Sequence, residues 1–101
     1  MSEIRLGILG GGQLGSLLSV AAKKLNIKTI IYSDDQHSPA QNFCDEFVFG
    51  DYNDKNKIDE FIKKVDIITY EFENIPYETL NEINKSKTVN PKPSINRLIQ
   101  H

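Results

Sequence analysis

Along these 101 residues, short β-rich apolar runs alternate with segments of helical period, and only a few residues connect one to the next. The runs are IRLGILG (4–10), IKTIIYSDD (27–35), EFVFGDY (46–52), DIITYEF (66–72) and a brief TVN (88–90). After the first run, Leu14, Leu17, Leu18, Ala21, Ala22 and Leu25 recur at helical spacing and form one stripe. Ser38-Pro39 can start a short helical turn, because proline suits a first helical position. Asn53 or Asp54 can cap a helix whose apolar positions are Ile58, Phe61, Ile62 and Val65. Pro76 opens another helix with Leu80 and Ile83 on its inner side, and Ser94 can cap a last one. This order predicts an α/β, Rossmann-like parallel sheet of four to five strands with helices on both faces, since each crossover must be covered on its own side. The length fits a single domain over residues 1–101.

Composition narrows the partners. A formal net charge of -2, with lysines scattered over expected helix surfaces, argues against a nucleic-acid binder. Cys44 is the only cysteine, so neither an intrachain disulfide nor a C-x-x-C metal site can form. The start MSEIRLG has no apolar signal core, and no apolar run approaches the roughly 18 residues of a membrane span. A cytoplasmic protein without a membrane partner is therefore expected. His37 lies in a polar loop and reads as a surface histidine.

Ligands of such a sheet sit at the carboxyl ends of its strands. That edge should carry residues 10–14, 33–35, 50–52 and 71–74. The first of these falls within GILGGGQLG (7–15), where Gly10, Gly12 and Gly15 have the spacing of a dinucleotide fingerprint. Glycines there permit a tight turn and close approach of a ligand, and the following helix N-terminus offers unpaired N–H groups. Asp34 and Asp35 lie about twenty residues further on, where an acidic residue would meet an NAD ribose. A dinucleotide (NAD or FAD) site of an oxidoreductase, another small-molecule or nucleotide site, and a purely structural turn all fit the spacing.

The segment TYEFENIP (69–76) is the second constellation. Alternation along an extended chain places Glu71 and Glu73 on one side and Phe72 on the other. Two carboxylates would repel a pyrophosphate and suit hydroxyl or amino donors. Glu73 and Asn74 also have a purely structural role open to them, capping the helix that Pro76 begins. Glu71, which directly ends a buried strand, is the stronger ligand candidate.

The segments GILGGGQLG, GDYND, DIITYEFENIP and NPKPSINRLIQ occur in this order and at this spacing. With them the chain resembles the N-terminal, pre-ATP-grasp region of the N5-carboxyaminoimidazole ribonucleotide synthetases, ATP-grasp ligases of purine biosynthesis. The resemblance covers essentially the whole chain. It implies a carbon–nitrogen ligase that uses ATP, Mg²⁺ and bicarbonate to carboxylate the exocyclic amine of 5-aminoimidazole ribonucleotide, and a homodimer as the full-length enzyme. It implies that this domain helps bind the aminoimidazole ribonucleotide through the turn residues Gly12, Gln13 and Leu14 and the carboxylate of Glu71. Glu73 and Asn74 match the same motif. The ATP and Mg²⁺ sites would lie in an ATP-grasp portion beyond residue 101, so no catalytic, cofactor or metal residue is expected here, and this portion alone is expected to be inactive. His101 departs from the family's pattern and is given no role. A regulatory or interaction domain that keeps the fold without the ligand is the non-catalytic alternative.

Overall fold

A computed structural model describes residues 4–71 and 75–90. Five parallel strands form one sheet in the order β3-β2-β1-β4-β5. The strands are β1 (Arg5–Leu9), β2 (Lys28–Ser33), β3 (Glu46–Phe49), β4 (Ile67–Tyr70) and β5 (Val89–Asn90). Three α-helices connect them: α1 (Gln13–Lys24), α2 (Lys55–Lys63) and α3 (Tyr77–Asn84). A 3₁₀ turn at Pro39–Asn42 lies between β2 and β3, with proline at its start as the sequence predicts.

Strand alternation sorts the core into two layers. Leu9, Ile30, Tyr32, Ile68 and Tyr70 point to one face, where Ile58 and Phe61 of α2 and Leu80 and Ile83 of α3 cover them. Ile8 and Ile31 point to the other, against Leu18 of α1 and Ala40 of the 3₁₀ turn. Helices thus cover both faces, as the strand–helix alternation requires. The expected caps also hold. Asp54 accepts from the Lys57 N–H at 3.2 Å, and Pro76 is the N-cap of α3. The helix expected after Ser94 lies outside the described residues.

The first helix departs from its apolar pattern. Leu14, Leu17 and Leu25 of the predicted stripe are 43%, 61% and 70% exposed; Ala22 of that stripe is buried, together with Gly15 and Ser19, which lie outside it. The cause is closeness. A Cβ on Gly15 would stand 2.8 Å from the Gly10 carbonyl oxygen, so α1 packs against the β1 turn through small residues. Leu14, Leu17 and Leu25 are carried to the flanks, while Leu18 packs on Ile8 and Ile31. Ser19 keeps its hydroxyl satisfied on the Gly15 carbonyl at 2.8 Å.

Beneath α2, the Tyr32 ring is fully buried between Tyr52 and Phe61, at centroid separations of 5.7 and 5.6 Å. Its hydroxyl donates to the Asp51 carbonyl at 2.5 Å. Burial foremost, then the charges of Asp54, Asp51 and Asp34, pushes this hydroxyl up to about 12, so it stays a neutral donor. Burial likewise raises Tyr52, with the Asp34 charge adding to it. These two tyrosines tie the ends of β2 and β3 together and so fix one side of the sheet's carboxyl edge.

Candidate ligand site at the glycine turn

The candidate site begins where β1 ends. Gly10 has φ of 111°, a conformation that side-chain-bearing residues rarely adopt, and its N–H donates to the Tyr32 carbonyl at 2.8 Å. This swings the chain off the sheet so that Gly12 becomes the N-cap of α1. Gly11 packs on Ser38, whose Cβ would lie 2.5 Å from a Cβ added there. Ser38 in turn shares a hydrogen bond with Ser33 at 2.8 Å and donates to the Asp35 carbonyl at 2.6 Å. This buried serine pair anchors the loop after β2 beneath the turn. Ser38 was legible only as a helix start, because its contact with Gly11 crosses 27 residues of chain.

Glu71 is delivered by the register of β4. Leu9 pairs with Tyr70, and the Glu71 N–H donates to the Leu9 carbonyl at 3.0 Å. Ile68 and Tyr70 face the α2 and α3 layer, so Glu71 emerges on the side of α1. There its Oε1 accepts from the Gly12 N–H at 2.8 Å and the Gly15 N–H at 3.1 Å. These are the N-cap and N3 amides of α1, the pair that a capping box satisfies. Glycine at both positions has no side chain for that task, and one carboxylate from another strand performs it. The same glycines give it room. A Cβ on Gly12 would lie 2.9 Å from Oε2, and one on Gly10 would lie 3.0 Å from the Glu71 Cγ.

The structure therefore brings Gly12, Gln13, Leu14 and Glu71 together. Gln13 and Leu14 are the first two residues of α1, and both are exposed. Among the described residues, nothing accepts from their backbone N–H groups and nothing donates to Glu71 Oε2. The site thus offers two helix-end donors beside one carboxylate acceptor. Glu73 and Asn74 lie outside the described residues.

The free anion seat expected at this helix N-terminus is a correction, because Glu71 already occupies it. The same observation removes the geometric support for a dinucleotide, whose pyrophosphate would need that place. Asp35, one of the two acids proposed for an NAD ribose, accepts instead from the His37 N–H at 2.9 Å and shapes its own loop. The residues present do not fit a nucleotide phosphate at the turn, and no ATP or Mg²⁺ ligand is assigned among them. Among the described residues, no group of three His, Cys, Asp or Glu side chains gathers to hold a metal. No described helix is long and apolar enough to cross a membrane. A cavity of about 350 Å³ opens between α2 and α3, bordered by Tyr52, Ile58, Ile62, Thr79 and Glu82, and it shares no residue with the turn.

Comparison with known proteins agrees with the fold. Residues 1–100 match the family model described as the ribonucleotide synthetase preATP-grasp domain. The N5-carboxyaminoimidazole ribonucleotide synthase of Staphylococcus haemolyticus is 41% identical over 75 residues, covering 74% of this chain and 20% of that protein. The crystal structure of the Staphylococcus aureus N5-carboxyaminoimidazole synthetase complexed with ADP superposes with a TM-score of 0.89 at 29% identity, over 98% of this chain and 27% of that one. The Aspergillus clavatus N5-carboxyaminoimidazole synthase, solved with ADP and 5-aminoimidazole ribonucleotide, gives a TM-score of 0.82 at 30% identity, over 97% of this chain and 26% of that one. The chain thus spans about a quarter or less of the length of these relatives.

Proposed function

We propose, because this chain belongs to the ribonucleotide synthetase preATP-grasp domain family, that residues 1–101 form the substrate-binding domain of a longer carbon–nitrogen ligase. The ligase carboxylates 5-aminoimidazole ribonucleotide to its N5-carboxy form in purine biosynthesis, with ATP, Mg²⁺ and bicarbonate, as a cytoplasmic homodimer. ATP and Mg²⁺ belong to its ATP-grasp portion, and the domain described here holds the aminoimidazole ribonucleotide. Catalysis by such a domain rests on positioning, which agrees with a site that presents hydrogen-bonding groups and no activated nucleophile.

The observation that carries the reading is the pairing of Glu71 Oε2 with the open N–H groups of Gln13 and Leu14. A hydroxyl satisfies both kinds of group at once, donating to the carboxylate and accepting from an amide. Ribose hydroxyls meet that requirement, and the ring amine meets the donor half of it. The Gln13 side chain adds an amide that both donates and accepts. Glu73 and Asn74 follow Glu71 in the same sequence motif, and we assign them to substrate binding with it. The solved Aspergillus relative, which contains 5-aminoimidazole ribonucleotide, supports this choice of substrate.

Titration of the ¹⁵N-labelled chain tests the reading. Adding 5-aminoimidazole ribonucleotide is expected to shift the amides of Gly12, Gln13, Leu14 and Glu71 saturably, while NADH leaves them in place. Saturable shifts with NADH and none with the ribonucleotide would restore the oxidoreductase reading.

A further inference from the structure

We propose that Glu71 is the specificity-determining residue of the turn. Its carboxylate is a built-in anion that occupies the helix N-terminus, so a ligand's phosphate is refused there and its hydroxyl or amino groups are accepted. The proposal deepens the function above and rests on it for the identity of the substrate, though not for the chemistry of the turn.

Three observations carry it. The N-cap and N3 amides of α1, which would otherwise point at a bound phosphate, both donate to Glu71 Oε1 at 2.8 and 3.1 Å. The carboxylate is brought there by backbone pairing rather than by a flexible loop. Glu71 N–H is bonded to the Leu9 carbonyl at 3.0 Å, which continues the β1–β4 ladder into the site. Finally, the glycines are shaped around this side chain. Added Cβ atoms on Gly10, Gly12 and Gly15 would each stand between 2.9 and 3.2 Å from a Glu71 atom. In a dinucleotide fold the glycines let a ligand's pyrophosphate approach the backbone. Here the same clearance is filled from within the chain.

An incoming phosphate would meet a like charge at short range, with the Gly12 and Gly15 amides already taken by Glu71. The α1 macrodipole, which favours anions, is already neutralised by the carboxylate. A ribonucleotide bound at this turn therefore presents its sugar or base to Glu71 and carries its phosphate away from α1.

Inorganic phosphate is the probe. In the ¹⁵N-labelled wild-type chain, the Gly12 and Gly15 amides are expected to stay unmoved by phosphate. In Glu71→Ala both amides are released, and phosphate should bind at them at least about tenfold more tightly than in the wild type. Glu71→Gln keeps an oxygen able to accept from the same amides but loses the negative charge, so its phosphate affinity should fall between those of the wild type and Glu71→Ala. Should Glu71→Ala be poorly folded in plain buffer, its thermal midpoint should climb with phosphate concentration while that of the wild type stays flat. Two results would overturn the proposal: phosphate binding at Gly12 and Gly15 of the wild type, or a folded Glu71→Ala that gains none. A chain that passes this test and yet ignores 5-aminoimidazole ribonucleotide would leave the built-in anion standing and remove only the substrate assignment.

Discussion

Phe61→Ala is expected to lower the unfolding free energy by about 3–5 kcal/mol, the cost of truncating a large aromatic in a packed core. Phe61 is fully buried and is the central ring of the α2 layer. It packs on Tyr32 at 5.6 Å between centroids with a 56° tilt, a geometry that adds to simple burial. Its ring tip also fills the space that Gly7 leaves open on β1, where a Cβ would lie 2.8 Å from Phe61 Cζ. The backbone of β1 cannot move in to close the hole, because it is bonded to β2 on one side and β4 on the other. The truncation therefore leaves a cavity as well as losing transfer energy. For a domain whose whole stability is about 5–15 kcal/mol, the loss is a large fraction. Urea unfolding should show a lower midpoint with an unchanged slope. A loss below about 1 kcal/mol would mean that α2 is not the principal cover of this face.

Gly15→Ala should destabilise, reversing the usual sign for a helical glycine. In an ordinary helix interior this change gains about 1 kcal/mol. Here the new methyl would meet the Gly10 carbonyl oxygen at 2.8 Å and Glu71 Oε1 at 3.2 Å. The carbonyl is backbone in a turn fixed by the Gly10 hydrogen bond to Tyr32, so it cannot give way cheaply. Moving α1 outward would instead stretch the Glu71 bonds to Gly12 and Gly15. Overpacking of this kind costs about 1–3 kcal/mol. The thermal midpoint should fall by on the order of 10 °C for a chain of this size. A rise in the midpoint would show that α1 does not pack as closely on the β1 turn as described.

These two positions also mark what the sequence could disclose. The alternation of strand and helix, the Asp54 and Pro76 helix starts and the brief β5 were legible because each is a local matter of period, cap or turn chemistry. The buried face of α1 was legible only in part. The apolar stripe includes the buried Ala22, whereas close packing on the β1 turn selects Gly15 and Ser19. Glu71 was legible as a ligand-edge carboxylate, since it ends the β4 run. Its engagement with Gly12 and Gly15 could not be read, because that requires knowing that β4 lies beside β1 and in which register. Parallel neighbours some sixty residues apart leave no mark of their adjacency in either segment alone. The glycine spacing leaves room at this helix end, and the fold fills that room with Glu71.

The same distinction explains why a familiar glycine pattern does not by itself fix the ligand. Spacing reports the room around a turn, while the residue placed in that room decides which chemistry is admitted. Gly10, Gly12 and Gly15 supply the room, and Glu71 turns it from an anion site into an acceptor beside two helix-end donors.

The most direct test of the account is steady-state kinetics of Glu71→Ala in the longer ligase proposed to carry this sequence. The proposed function puts Glu71 on the ribonucleotide and not on the nucleoside triphosphate. The KM for 5-aminoimidazole ribonucleotide should therefore rise by about tenfold or more, the loss expected of a charged hydrogen-bond acceptor. The KM for ATP should stay within about twofold, and kcat should fall as well, because a positioning group also serves the transition state. An unchanged KM for the ribonucleotide together with a large rise in that for ATP would contradict the account.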